Sequence, residues 1–214
     1  MAHEFLLYLP SGSFGKLPCW YNIIMRKKAT ILIIGKSPAA LDAMQSLLHK
    51  SGYAVETTNN FENVPERFKL ENFDLITMGG QVPPDTKAIV MQAAKERKSN
   101  MLFVQGMAGI PGLVVEQIEG ELAAEQRKPD RAPVFRAATR TLNLFLPESA
   151  PVKVTAWWHT DFIPPNPGSD SRVLCNKTLA AGNHNIPVPG DIPNEYSFVT
   201  VRIGNAVYPL KLVH

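Results

Sequence analysis

Long apolar runs are missing from this chain: no window approaches the roughly 18 consecutive apolar residues that a membrane-spanning helix needs. No membrane span is expected. Cysteine is scarce as well. Cys19 and Cys175 stand far apart with no motif around either, which excludes a C-x-x-C metal or redox centre and reads as two free thiols. No dense basic run occurs and the net charge is only +3, too little for a nucleic-acid footprint. No G-x-G-x-x-G follows the first apolar strand, so dinucleotide binding has no fingerprint here. No internal repeat is present. What is present is ordinary: 45% hydrophobic and 19% charged residues describe a globular protein able to bury a core. A length of 214 residues fits two small domains or one large one. The segment Met1 to Ile24 has no basic start, and Pro10 and Gly12 interrupt its apolar piece, so it does not read as a targeting device. Residues 1–24 are expected to be a poorly ordered extension, with a second start at Met25.

From Thr30 to about Gln126, strand-like and helix-like segments alternate. Strands are expected at Ile31–Ile34, Ala54–Thr58, Phe73–Met78 and Met101–Val104. The helix after the first strand carries Leu41, Met44, Leu47 and Leu48 at helical spacing. A second helix is expected around Val64–Leu70. A third, capped by Asp85 or Thr86, runs to about Lys98 with Ile89, Val90 and Ala93 inward. A last one, Ile110 to Gln126, places Leu113, Val114, Ile118 and Leu122 on one side. This alternation predicts a parallel sheet covered on both faces. Arg127–Pro133 is a charged, proline-bearing linker, and the pattern changes behind it. "RTLNLFLP", "VKVTAWWHT", "YSFVTVRI" and "AVYPLKLV" alternate with period two between turn-rich stretches, as in a small antiparallel sandwich. The predicted domains are therefore 25–127, α/β, and 133–214, all-β.

The first domain resembles a response-regulator receiver over about Lys28 to Gln126. "TILIIGKSPAALDAMQSLLHKSGYAV" is similar to the first strand, helix and second strand of that family. "DLITMGGQVP" is similar to the third strand and its loop, with Pro83 in the family's place and Gly79 at the position of the phosphate-accepting aspartate. "NMLFVQG" resembles the fourth strand, with Gln105 where receivers carry Thr or Ser. Lys128–Pro129 lies at the distance of the family's conserved lysine, but helical "GELAAEQR" precedes it, which points to four strands in place of five. The resemblance implies a flavodoxin-like fold whose chemistry is gone. Phosphoryl transfer to an aspartate needs a carboxylate nucleophile, acidic metal ligands and a neutralising cation. Gly79 is no nucleophile; Gly35, Lys36 and Ser37 after the first strand offer no carboxylate, and Lys36 would repel Mg²⁺.

The second domain resembles the Ig-like C-terminal sorting domain of type IX secretion cargo. "LNLFLPESAPVKVTAWW", "LAAGNHNIPVP" and "EYSFVTVRIGNAVYPLKLVH" carry the family's strand endings, its turn and its closing strands in order. The resemblance implies an Ig-like β-sandwich and a Bacteroidetes origin. Export is a further implication, although the chain shows no readable export signal.

Several smaller patterns complete the reading. "GKS" at Gly35–Ser37 matches the end of a P-loop, but position 30 is threonine where that motif needs glycine. Gly35, Gly79, Gly80, Gly106 and Gly109, with Lys36, Ser37 and Gln105, lie at the C-terminal rim of the expected sheet, where open parallel sheets bind ligands and anions. They are either an anion site or the tight turns left by a lost pocket. His159, Cys175 and His184 have no metal-ligand spacing, so neither metal nor cofactor is expected. On "VKVTAWWHT" the alternation puts Val152, Val154, Ala156 and Trp158 inward and leaves Trp157 on the polar face, as a contact for the first domain or a partner. The expectation is a cytoplasmic, non-enzymatic signalling or regulatory protein that binds a protein partner and neither nucleic acid nor membrane, with homo-oligomerisation left open. The alternatives are a small-ligand or anion sensor at the rim, and a secreted or surface-associated protein.

Overall fold

β-Branched Ile31, Ile33 and Ile34, with Leu32, make Thr30–Ile34 a strand (β1) that has to be covered on both faces. The computed structural model describes residues 28–107, 109–123, 131–161 and 168–212. Expectations placed on residues 1–24, Cys19, Lys128–Pro129 and most of the 127–133 linker lie outside them. β1 pairs in parallel with β2 (Ala54–Thr58) on one side and β3 (Leu75–Met78) on the other, and β4 (Leu102–Gln105) follows β3. The order is β2-β1-β3-β4. Among the described residues these four strands follow the flavodoxin-like order, so this parallel sheet fits a receiver-like fold.

Alternation along β1 divides the core. Ile31 and Ile33 face α1 (Pro38–Lys50) and α4 (Pro111–Ala123), with Leu41, Met44, Leu48, Val114 and Ile118 packed on them. Leu32 and Ile34 face the short α2 (Val64–Arg67) and α3 (Pro84–Arg97), with Val64, Phe73, Val90 and Ala94. Three helix expectations change. The second helix stops at Arg67 because Phe68 turns extended, and a separate 3₁₀ turn, Leu70–Asn72, follows. That break carries Leu70 and Phe73 into the core. α3 starts at Pro84, with neither Asp85 nor Thr86 as its cap: Pro83 and Pro84 preset the backbone, and Asp85 lies in the first turn, where a carboxylate favours the helix dipole. Its buried line runs through Val90 and Ala94, so Ile89, one residue off that line, is 59% exposed. On α1 the same geometry leaves Leu47 exposed while Leu48 is buried.

Residues 131–212 form two antiparallel sheets. One holds β5 (Val134–Arg136), β6 (Thr141–Leu146) and β9 (Gly182–Pro187). The other has the order β11-β10-β7-β8, with β7 Ala150–His159, β8 Ser169–Leu179, β10 Ser197–Ile203 and β11 Ala206–Lys211. Period-two alternation sends Leu142, Leu144, Leu146, Val152, Val154, Ala156, Ile186, Val199 and Val201 into one shared cluster. The opposite face of β7 and β10 is largely covered by a helix. Register aligns Trp157 with Phe198, Thr155 with Thr200 and Lys153 with Arg202, and this face packs on α4. α4 is thus buried on two sides, between the parallel sheet and the four-stranded antiparallel sheet.

Candidate functional site

Three loops leave the C-terminal ends of β1, β3 and β4. The first two meet across a cleft of about 500 Å³ lined by Gly35, Lys36 and Ser37 on one side and Gly79, Gly80 and Gln81 on the other. The position has a topological cause. β1's crossover leads outward to β2 and β3's leads the opposite way to β4, so the two loops part at the switch point of the sheet. Ala39, Ala40, Leu41 and Met44 of α1 give the cleft an apolar wall, and Gly109, Pro111 and Ser169 complete it. Ser169 comes from β8, so both parts of the chain contribute.

Of the rim residues singled out from sequence, Gly35, Lys36, Ser37, Gly79, Gly80 and Gly109 line this cleft. Gln105 and Gly106 do not. The exposed Gln105 accepts at its carbonyl from Gln117 Nε2 at 3.4 Å. Gly106 is buried where α4 approaches the sheet, and a Cβ there would meet Val114 Cγ2 at 3.5 Å. Leu41 and Met44 line the cleft while counting, from spacing alone, as core stripe. Ser169 has no sequence signal at all, because only the packing of the sandwich brings it near.

The donors at the rim are mostly committed. Gly35 N–H donates to Thr58 O at 3.1 Å and Gly79 N–H to Ile34 O at 2.9 Å, both extending the parallel ladder. Ser37 caps α1, its Oγ accepting from Ala40 N–H at 3.3 Å. Pro38, Pro84 and Pro111 open the three helices whose first turns face this end, and proline has no N–H to offer. Among the described lining residues there is no Asp, Glu, His or Cys, and Lys36 is the one charged side chain. Such a lining has neither a carboxylate or imidazole base to activate Ser37 nor carboxylate ligands for a hard cation.

Trp157 lies against α4. Its Nε1–H donates to Thr200 Oγ1 at 2.9 Å, and its ring packs with Ile110, Leu113 and Phe198. Two ion pairs flank it: Lys153 with Glu116 at 3.0 Å and Arg202 with Glu119 at 2.6 Å. Glu119 and Arg202 also act on Tyr53, whose phenol is pushed above its ordinary value by burial first and by the Glu119 carboxylate next, with Arg202 opposing. His159 Nδ1 lies 3.2 Å from Gly168 O and His184 Nε2 lies 2.8 Å from Ala180 O, in separate parts of the sandwich. Cys175 is buried among the core residues of β8. No helix among the described residues is long and apolar enough to cross a membrane.

No protein-family model and no curated protein matches the chain. Among solved structures, it is similar to the response regulator TrrA of Thermotoga maritima in complex with Mg²⁺-BeF, at 17% identity and a TM-score of 0.32, covering 40% of this chain and 80% of that one. It is also similar to an NAD kinase of Archaeoglobus fulgidus in complex with ATP, at 17% identity and a TM-score of 0.31, covering 85% of this chain and 77% of that one. A β-D-glucoside glucohydrolase of Trichoderma reesei matches at 11% identity and a TM-score of 0.34, covering 87% of this chain and 52% of that one. Scores this low carry no weight, and the receiver-like description of the parallel sheet rests on its strand order.

Proposed function

We propose that this chain is a non-enzymatic signalling or regulatory protein, built on a receiver-like domain that takes no phosphoryl group and acting through a protein partner in the cytoplasm. One observation carries the reading. The loops after β1 and β3, where a receiver keeps its acidic residues, meet at Gly35, Lys36, Ser37 and Gly79, and no carboxylate is among the described residues that line the cleft between them. Chemistry supports this, since neither a carboxylate nucleophile nor an acidic Mg²⁺ site can be built from those groups. The β-sandwich is read as Ig-like. Lettering its strands A to G in chain order gives A-B-E on one sheet and G-F-C-D on the other, which supports that reading with D moved from its usual sheet. Export remains the sorting-domain alternative, supported by sequence resemblance alone. Incubation with acetyl phosphate and Mg²⁺ tests the main reading. The intact mass is expected to stay unchanged, and a stable gain of one phosphoryl group on a rim residue would overturn it.

The second reading, a small-ligand sensor, is favoured by the cleft itself. About 500 Å³ at the switch point of a parallel sheet is the size and place of a ligand site. The two readings are compatible, because a sensor need not catalyse anything.

A further inference from the structure

We propose that the cleft between the β1–α1 and β3–α3 loops binds a small apolar monocarboxylate, its hydrocarbon part against α1 and its carboxylate on Lys36. This rests on the ligand-sensing reading of the same cleft and names the ligand class. The walls decide the body of the ligand. Ala39, Leu41, Met44 and Pro111 present hydrocarbon, and a cavity of about 500 Å³ holds a ligand well beyond the size of an inorganic ion.

The polar groups decide its head. A phosphate at a helix N-terminus is held by several backbone N–H groups converging on its oxygens. Here Pro38 has no N–H, Ala40 N–H is taken by Ser37, and the N–H groups of Gly35 and Gly79 are spent on the sheet. With those positions withdrawn, a phosphate would regain fewer of the hydrogen bonds it loses to water than at an open helix N-terminus. A carboxylate asks for less. Its single charge is matched by the single ammonium of Lys36, and Ser169 places a hydroxyl in the same lining. Because Ser169 belongs to β8 while Lys36 follows β1, a ligand seated there touches both the α/β part and the sandwich.

Isothermal titration of the full chain with octanoate, 1-octanol and inorganic phosphate tests this. Octanoate is expected to bind, phosphate not. Lys36→Met should weaken octanoate about three- to fivefold and leave 1-octanol unchanged, the scale of a solvated ion pair. Ala39→Trp, which fills the cleft from the exposed first turn of α1, should abolish binding of both at an unchanged melting temperature. Equal octanoate affinity in wild type and Lys36→Met would overturn the assigned head group. Phosphate binding without octanoate binding would overturn the ligand class while sparing the sensor reading. No binding of any probe would sink both, leaving the phosphorylation-incompetent reading to the acetyl phosphate experiment.

Discussion

A Cβ at position 112 would sit 2.7 Å from Trp157 Cη2, so glycine there is a packing requirement of the indole. Trp157 stood out in the sequence as an aromatic on a polar face, whereas nothing in the sequence pattern marked Gly112 as its partner. The same interface perturbs Tyr53. Burial and the Glu119 carboxylate hold its phenol protonated above the ordinary 10.0. The unfolded chain thus releases this proton first, and between 10.0 and the raised folded value it binds fewer protons than the folded chain. Stability contributed by Tyr53 is complete below 10.0 and declines as pH climbs through that window. Melting temperatures from about pH 9 to about pH 11 should fall less steeply in Tyr53→Phe than in wild type. Identical slopes would show that Tyr53 is not shielded as described.

At the scale of elements, α4 is the unusual one. A helix on an open sheet shows one apolar stripe, yet Val114, Ile118 and Val115 meet the parallel sheet while Gly112, Glu116 and Gly120 meet the antiparallel one. Gly120 permits that second contact. A Cβ there would lie 2.6 Å from Val207 Cβ, an atom bonded directly to the backbone of β11 and not a pliable side-chain tip. Two effects compete in Gly120→Ala. Helix propensity gains about 1 kcal/mol, and overpacking costs about 1–3 kcal/mol. The clash should win, lowering stability by about 1 kcal/mol in urea titration. A stabilised variant would mean that the helix and β11 separate easily. Buried Glu116 strengthens the contact further, since its partner Lys153 comes from β7 and an unpaired buried carboxylate would be costly.

For the whole molecule, the question is whether residues 133–214 fold alone, as the switch from helical to alternating period predicts. They carry a complete core cluster between two sheets. Separation would nevertheless expose Phe198, 6% accessible in the chain, together with Trp157 and Val207. The isolated segment is expected to keep a dispersed amide spectrum and to melt below the intact chain. A collapsed spectrum would mean that the two halves share one core. Local pattern was enough for much of this architecture. Continuous apolar runs marked β1 and β3 as two-faced strands, and strict alternation marked β6, β7 and β10. The loops at Gly35–Ser37 and Gly79 were legible as rim because strand ends can be read from where an apolar run stops. The rest depended on contacts distant in sequence. Period cannot tell whether the outer face of β7 meets water or a helix, nor whether α4 is covered once or twice. Lys153 and Glu116 pair across 37 positions and Arg202 and Glu119 across 83, separations at which the chain holds no local record of its partner. Ser169 enters the cleft for the same reason: docking of the sandwich on α4 put it there, and docking is a property of two assembled surfaces.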